Sequence, residues 1–263
     1  MTYALKHALR STLRKFDIGI GRYSTIEKLI KDSTATHDVE ILLQLPEETA
    51  LQRLKYLRKS KAQLRQDLFV LSSLGFKTNG YFVEFGATNG VDLSNTYLME
   101  KEFGWSGIVA EPARIWHDDL KNNRDCSIET DCVWKDSASV LQFNEVESPE
   151  FSTINSYSDK DLHKKYRETG KTYDVKTISL NDMLRKFGAP KQIDYLSMDT
   201  EGSEFDIISH FDFSEYSFRV ITCEHNYTPM REKILELLAR QGYQRVYQDL
   251  SLFDDWYVKT DAV

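Results

Sequence analysis

From Tyr81 onward the chain switches from helical spacing to short apolar runs alternating with amphipathic ones, and this alternation constrains the fold most. Tyr81–Phe85, Gly107–Ala110, Ser127–Val133, Val140–Phe143, Val175–Ile178, Ile193–Met198 and Phe218–Cys223 read as strands. Asp92–Phe103, residues 113–122, Leu180–Phe187, Glu204–Ser209 and Met230–Arg240 read as helices; Gly188 with Pro190, and Gly242, stop the third and the last. Two closing strands, Tyr243–Gln248 and Leu252–Val258, suggest an antiparallel hairpin at one sheet edge. Strands alternating with helices predict an α/β fold, a mostly parallel sheet with helices on both faces.

The first 75 residues read as a helical extension, with the α/β domain over 76–263. Leu5, Leu9, Leu13 and Phe16 recur at helical spacing, and a second stripe runs through Ile26, Leu29 and Ile30. Pro46-Glu47-Glu48 is a helix start leading into Leu51, Leu54 and Leu57, and Gln63–Leu74 continues in helical period to Gly75. Such stripes more often pack on their own domain than bind a membrane or partner. Residues 148–173 break the rhythm: polar, yet carrying Phe151, Tyr157, Tyr166 and Tyr173, they read as a substrate lid.

Composition narrows the classes. At 41% hydrophobic and 29% charged the chain is an ordinary globular one, and no run is apolar enough for a membrane span. Charged residues Lys6, Arg10, Arg14 and Lys15 argue against a secretory leader. Cys126, Cys132 and Cys223 form no CxxC pair, which suits a reducing, cytoplasmic compartment. Residues 1–73 hold 13 Lys and Arg against 8 Asp and Glu, and the remainder 21 against 33. The acidic larger part argues against a nucleic-acid-binding catalytic face.

The sharpest motif is Tyr81–Gly90, a strand carrying Glu84 that turns through Gly86-Ala87-Thr88-Asn89-Gly90 into a helix. Glycine lets a backbone approach a ligand closely, and the helix start offers free N–H groups. The G-x-x-x-G spacing is not the dinucleotide G-x-G-x-x-G, and Glu84 would repel a pyrophosphate. A carboxylate there suits an ammonium group, such as the amino-acid end of S-adenosylmethionine (SAM). Glu111 ends the next strand, where a carboxylate accepts both ribose hydroxyls, or caps the following helix. Asp131, after the third strand, is a weaker candidate for the adenine amine.

Asp199 and Glu201 emerge from the strand Ile193–Met198, with Gly202 opening the next helix, and Glu224, His225 and Asn226 end the following strand. Neighbouring strands would bring these groups together at the ligand-binding edge. His225 could serve as a base toward a hydroxyl acceptor. Asp199, Glu224 and His225 could instead ligate a divalent cation such as Mg or Mn. Single carboxylates at strand ends are often only caps or ion-pair partners.

Over roughly residues 80–258 the chain resembles the FkbM family of SAM-dependent methyltransferases. The resemblance rests on FVEFGATNGVDLSNT (82–96), GIVAEP (107–112), VKTISLNDML (175–184) and IDYLSMDTEGSEFDII (193–208), with CEHN (223–226) following. It implies a class I methyltransferase fold, Rossmann-like, with a seven-stranded sheet and a reversed final hairpin. It implies O-methylation, commonly of sugars in surface polysaccharides, glycolipids or natural products. By motif, Glu84, Gly86, Asn89, Gly90 and Glu111 would carry SAM, with Ala87 and Thr88 in the same turn. Asp199, Glu201 and Glu224 would line the reaction site, and Ser152 and Thr153 fall where the family has a Ser/Thr loop near the cofactor. Asn181 stands where the family often has Asp, and Ser197 where Lys is frequent. The resulting expectation is a SAM-dependent O-methyltransferase acting on a sugar or glycan acceptor, in polysaccharide biosynthesis, and a homodimer. A non-catalytic SAM-binding module and an NAD-dependent dehydrogenase are the alternatives.

Overall fold

The structure is a computed structural model that describes residues 23–146, 153–154 and 170–260, with side chains from residue 33 onward. Two compact units divide the chain, Met1–Glu40 and Ile41–Val263. The helices are α1 (Tyr23–Gln44), α2 (Ala50–Tyr56), α3 (Gln66–Ser73), α4 (Tyr97–Phe103), α5 (His117–Asn123), α6 (Leu180–Lys186), α7 (Glu204–Ser209), α8 (Met230–Arg240) and α9 (Gln248–Ser251). The strands are β1 (Tyr81–Phe85), β2 (Ser106–Ala110), β3 (Ser127–Glu129), β4 (Cys132–Trp134), β5 (Val140–Glu145), β6 (Thr153–Ile154), β7 (Lys171–Ser179), β8 (Gln192–Met198), β9 (Ser217–Glu224), β10 (Tyr243–Val246) and β11 (Asp254–Lys259).

Seven strands form the central sheet in the order β10-β11-β9-β8-β1-β2-β3. β11 runs antiparallel to both neighbours and the other pairings are parallel, so the closing hairpin falls at the sheet edge. The strands are short and apolar on both faces because helices cover both. Along β1, Phe82 packs into one core and Val83 and Phe85 into the other. One layer rests on α6, α7 and α8 through Met183, Leu184, Ile207, Ile234 and Leu238. The opposite layer takes α3 and α4, with Phe69 stacked on Trp256 at 4.5 Å between ring centroids. Complete burial of a side chain of this size contributes about 2–3 kcal/mol.

A second sheet, β4-β7-β5-β6, was not expected from the sequence pattern. The run read as one strand, Ser127–Val133, is divided between the two sheets. Glu129 causes the break: its Oε1 accepts the amides of Thr130 and Asp131 at 2.9 and 3.0 Å, turning the chain from β3 into β4. Lys171–Tyr173, placed within the lid, belong to β7 and pair with β5. The rest of 148–173, apart from β6 and Gly170, lies outside the described residues, as do Leu5, Leu9, Leu13 and Phe16. Ile26, Leu29 and Ile30 fall in α1, where their side chains are not described.

The helix expected from Asp92 begins only at Tyr97. Leu93 is left-handed at φ 61°, and Ser94, Asn95 and Thr96 bond to Glu84 instead of continuing a helix. The closing strands are separated by the single turn α9. Among the described residues no helix is long and apolar enough to cross a membrane.

Arg53 fastens the turn before α2. Fully buried, it donates through Nη1 to Pro46 O at 2.7 Å and Thr49 Oγ1 at 2.5 Å, and through Nη2 to Leu42 O and Leu45 O at 3.0 and 3.1 Å. Arg53→Met keeps much of the packing volume but removes the donors that reach Leu42 O and Leu45 O. Urea unfolding is expected to show a loss of about 2–4 kcal/mol, and a loss below about 0.5 kcal/mol would contradict this role.

Candidate active site

A cavity of about 430 Å³ opens where β1, β2, β8 and β9 end, the ligand-binding edge of an open α/β sheet. Glu84, Glu111, Asp199, Glu201 and Glu224 stand in its wall, with Asp92 nearer the mouth. No Lys, Arg or His lines it among the described residues. Cys132, Val133, Phe143 and Ile154, all from the second sheet, supply an apolar side.

Gly86 sets the bend, at φ 82°. A Cβ there would lie 1.8 Å from the carbonyl oxygen of Asp199. The glycine thus permits the close approach of β1 and β8, where Asp199 N–H donates to Phe85 O at 3.2 Å. Gly90, at φ 79°, sits against Leu120 and Arg124 and does not line the cavity. Neither do Ala87, which is buried in the core, and Asn89, whose Oδ1 accepts the amides of Val91 and Asp92 at 2.9 Å each. Thr88 does line it, and its amide donates to Glu111 Oε2 at 2.9 Å.

Glu84 lines the cavity and is also engaged by the protein on both oxygens. Its Oε1 accepts the Asn95 amide at 2.6 Å, and its Oε2 accepts Ser94 Oγ at 2.9 Å and Thr96 Oγ1. Arg124, itself fully buried, approaches Oε2 at 3.4 Å and also holds Glu100, Gly90 O and Thr96. The protein's own donors crowd Oε2, while Oε1 accepts the Asn95 amide and keeps room for a further donor. Glu84 and Arg124 therefore build the loop that walls the cavity.

Glu111 caps and faces the cavity at once. Oε1 accepts the Ala113 amide at 2.8 Å and Oε2 that of Thr88, which leaves each oxygen room for another donor. Burial pushes its carboxyl up to about 7; the two backbone bonds oppose the rise, and Asp199 and Glu145 add to it. Asp131 does not reach the cavity wall, although Cys132 and Val133 do. Thr153 is buried, its hydroxyl donating to the carbonyls of Thr200 and Glu201, both at 3.2 Å. Ser152 lies outside the described residues.

Oxygens of Asp199, Glu201 and Glu224 all lie within 4.8 Å of one another. Burial raises the Asp199 carboxyl to about 6, tempered by a hydrogen bond from Glu224. Glu224 is pushed well above the carboxylate range by burial and by the charges of Asp199, Glu201 and Glu204. Like charges this close resist ionising together, which adds to the upward push of burial on both carboxyls.

His225 does not join this group, which corrects its reading as base or metal ligand. β9 ends at Glu224, and successive residues of an extended chain point to opposite faces. Glu224 and Asn226 line the cavity; His225 is buried behind it, its Nε2 3.7 Å from Asp255 Oδ1. Glu201 takes its place in the oxygen cluster. Of the two departures from the family pattern, Ser197 lines the cavity and accepts a bond from Asn95 Nδ2 at 2.9 Å. Asn181 bonds to Asp212, at the far end of the sheet. Gln63, Phe143, Tyr227 and Phe253 are wall residues that come from segments with no motif of their own, and Leu93 is one that the 82–96 motif holds at a position with no chemical signal.

Strand order β3-β2-β1-β8-β9-β11-β10, with β11 reversed and an acidic cleft at the strand ends, defines a class I SAM-methyltransferase fold. The family described as Methyltransferase FkbM domain matches residues 84–245, well over half of the chain. The chain belongs to that family, and is a methyltransferase. No curated protein matches it. Solved structures similar to it include the precorrin-6y C5,15-methyltransferase of Geobacter metallireducens GS-15. That structure shows 12% identity and a TM-score of 0.39, over 68% of this chain and 71% of the other. The METTL16 MTase domain shows 12% identity and a TM-score of 0.40, over 74% and 66%. A human methyltransferase 10 domain containing protein shows 11% identity and a TM-score of 0.36, over 76% and 82%.

The raised carboxyls fix the sign of a pH effect. Asp67 and Asp199 at about 6, Glu111 at about 7 and Asp254 at about 8 bind protons in the folded chain that the unfolded chain has released. Their contribution to stability is present below about pH 4 and is lost as pH rises through these values; His225, lowered by burial, opposes them as one group against several. Urea unfolding of the ligand-free protein is expected to show stability falling from pH 5 to 8. A rise over that range would contradict the burial of these carboxyls.

Proposed function

We propose that the chain binds SAM in this cavity and transfers its methyl group to a hydroxyl of a sugar-containing acceptor. The observation that carries the reading is the lining of carboxylates without a basic residue among those described. SAM brings a positively charged sulfonium bearing an activated methyl group, and an ammonium group beside it. A diphosphate would meet only repulsion from the same wall.

Glu111 would accept the ribose hydroxyls on the lone pairs its two backbone bonds leave open. The apolar side formed by Cys132, Val133, Phe143 and Ile154 suits an aromatic base. Asp199, next to Gly86, takes the ammonium-facing part first given to Glu84, and Glu84 holds the loop in place. The member of the Asp199–Glu224 pair that is ionised receives the single proton of the acceptor hydroxyl as the methyl group leaves the sulfonium. The three clustered carboxylates also present the oxygen donors that magnesium or manganese takes, so the metal-assisted form is part of the proposal.

An acceptor rich in neutral hydroxyls is compatible with the acidic wall, whereas a nucleic acid is not, because its phosphates require cations. We place the reaction in the cytoplasm, in polysaccharide assembly, with the chain as a homodimer. The free cysteines Cys126, Cys132 and Cys223 support the reducing compartment.

Calorimetry is expected to show one SAM per chain at micromolar Kd, and no NADH binding. Glu111→Ala should weaken SAM by about tenfold or more. An intact protein without SAM binding would overturn the reading. A mass-spectrometric screen of glycosides and glycans should show a gain of about 14 daltons on one class of acceptor, following single methyl transfer. Running it with EDTA decides the metal: loss of turnover requires one, and full retention excludes it.

A further inference from the structure

His225 has a different task from the one its place in the motif suggests. Its backbone N–H and that of Asn226 both donate to Phe253 O, at 3.0 and 3.2 Å, tying the end of β9 to the approach of β11. Its carbonyl accepts the Thr228 amide at 2.7 Å, closing a tight turn. Inside that turn Asn226 and Tyr227 both adopt left-handed backbone, at φ 42° and 56°. Two consecutive non-glycine residues in this region persist only where surroundings hold them, and such geometry collects at functional sites.

The holding group is the imidazole. His225 Nδ1 accepts the backbone N–H of Tyr227 at 3.0 Å. An acceptor at Nδ1 requires the proton on Nε2. Nε2 faces Asp255 Oδ1 at 3.7 Å and has no direct hydrogen-bond partner among the described residues. Asp255 is held in turn by Arg231, at 3.0 and 2.7 Å, and by Arg245 at 3.2 Å. The arrangement resembles an acid-oriented histidine, but its lone pair serves a backbone amide. Tyr227 stands edge-on to the imidazole, ring centroids 5.3 Å apart, while its side chain remains 63% exposed. With Asn226 it forms part of the cavity wall next to Glu224.

We infer that His225 is a positioning residue that holds Asn226 and Tyr227 in a left-handed turn, so that the Tyr227 ring forms an acceptor-binding platform beside Glu224. The assignment of the platform to the acceptor rests on the function proposed above. The His225–Tyr227 bond itself stands on geometry alone.

The test uses the full chain and three variants, His225→Leu, His225→Asn and Tyr227→Ala. Nitrogen-15 spectra of the wild type should show a neutral imidazole with its proton on Nε2. Hydrogen exchange at the Tyr227 amide should speed up about tenfold or more in H225L. It should stay within about threefold of wild type in H225N, whose carboxamide oxygen replaces Nδ1 as acceptor. SAM affinity should stay within about twofold in all three variants. With the glycoside methylated in the screen, KM should rise about tenfold in H225L and Y227A while kcat changes less than about threefold. A proton on Nδ1, unchanged Tyr227 exchange in H225L, or a fall in kcat at constant KM would each overturn the inference. Should the wild type bind no SAM, the proposed function fails, and the tautomer and exchange readings still decide the role of His225.

Discussion

A buried carboxylate under an open cleft is stable here because Arg124 lies beneath it. Glu84, one residue before the end of β1, gathers Ser94, Asn95 and Thr96 on its oxygens, and the fully buried Arg124 bridges that cluster to Glu100 and Gly90. Removing Arg124 would strand Glu84 as an unpaired charge in the interior, a cost of several kcal/mol. The loop between β1 and α4 takes its irregular path to satisfy this pair. That path puts Leu93 and Asn95 into the cavity wall.

The chemistry follows from how the sheet delivers side chains. Parallel strands β1, β8 and β9 end together, so oxygens of Asp199, Glu201 and Glu224 meet within 4.8 Å of one another. Among the described residues, Arg231 and Arg245 sit on Asp255, and Lys186 on Glu129, and none of these cations lines the cleft. The cleft therefore keeps an excess of buried acceptor oxygens, matched to a ligand that brings positive charge with it.

The parts of this design that depend on local sterics could be read in the sequence. Gly86 at the end of an apolar strand, Glu111 at the end of the next, and the alternation of strands and helices all gave positions that the structure keeps. Partners distant in sequence were not legible. Nothing near Glu84 announces Arg124, forty residues on, and nothing marks Gln63 or Phe253 as cavity walls. The break at Thr130–Asp131 depends on where the Glu129 side chain turns, which periodicity does not carry. For His225 the sequence carries a signal in its place along the strand. Strand alternation already separates it from Glu224, so the two could not both face the reaction.

The central claim is that one acidic cleft grips a cationic nucleoside, with Glu111 on the sugar and Asp199 near the charged end. A crystal structure with S-adenosylhomocysteine reads this directly. Both ribose hydroxyls should lie within hydrogen-bond distance of Glu111, and the ligand ammonium should lie nearer to Asp199 than to Glu84. A cleft closed by the protein's own side chains, or a ligand bound with its ribose away from Glu111, would contradict the account.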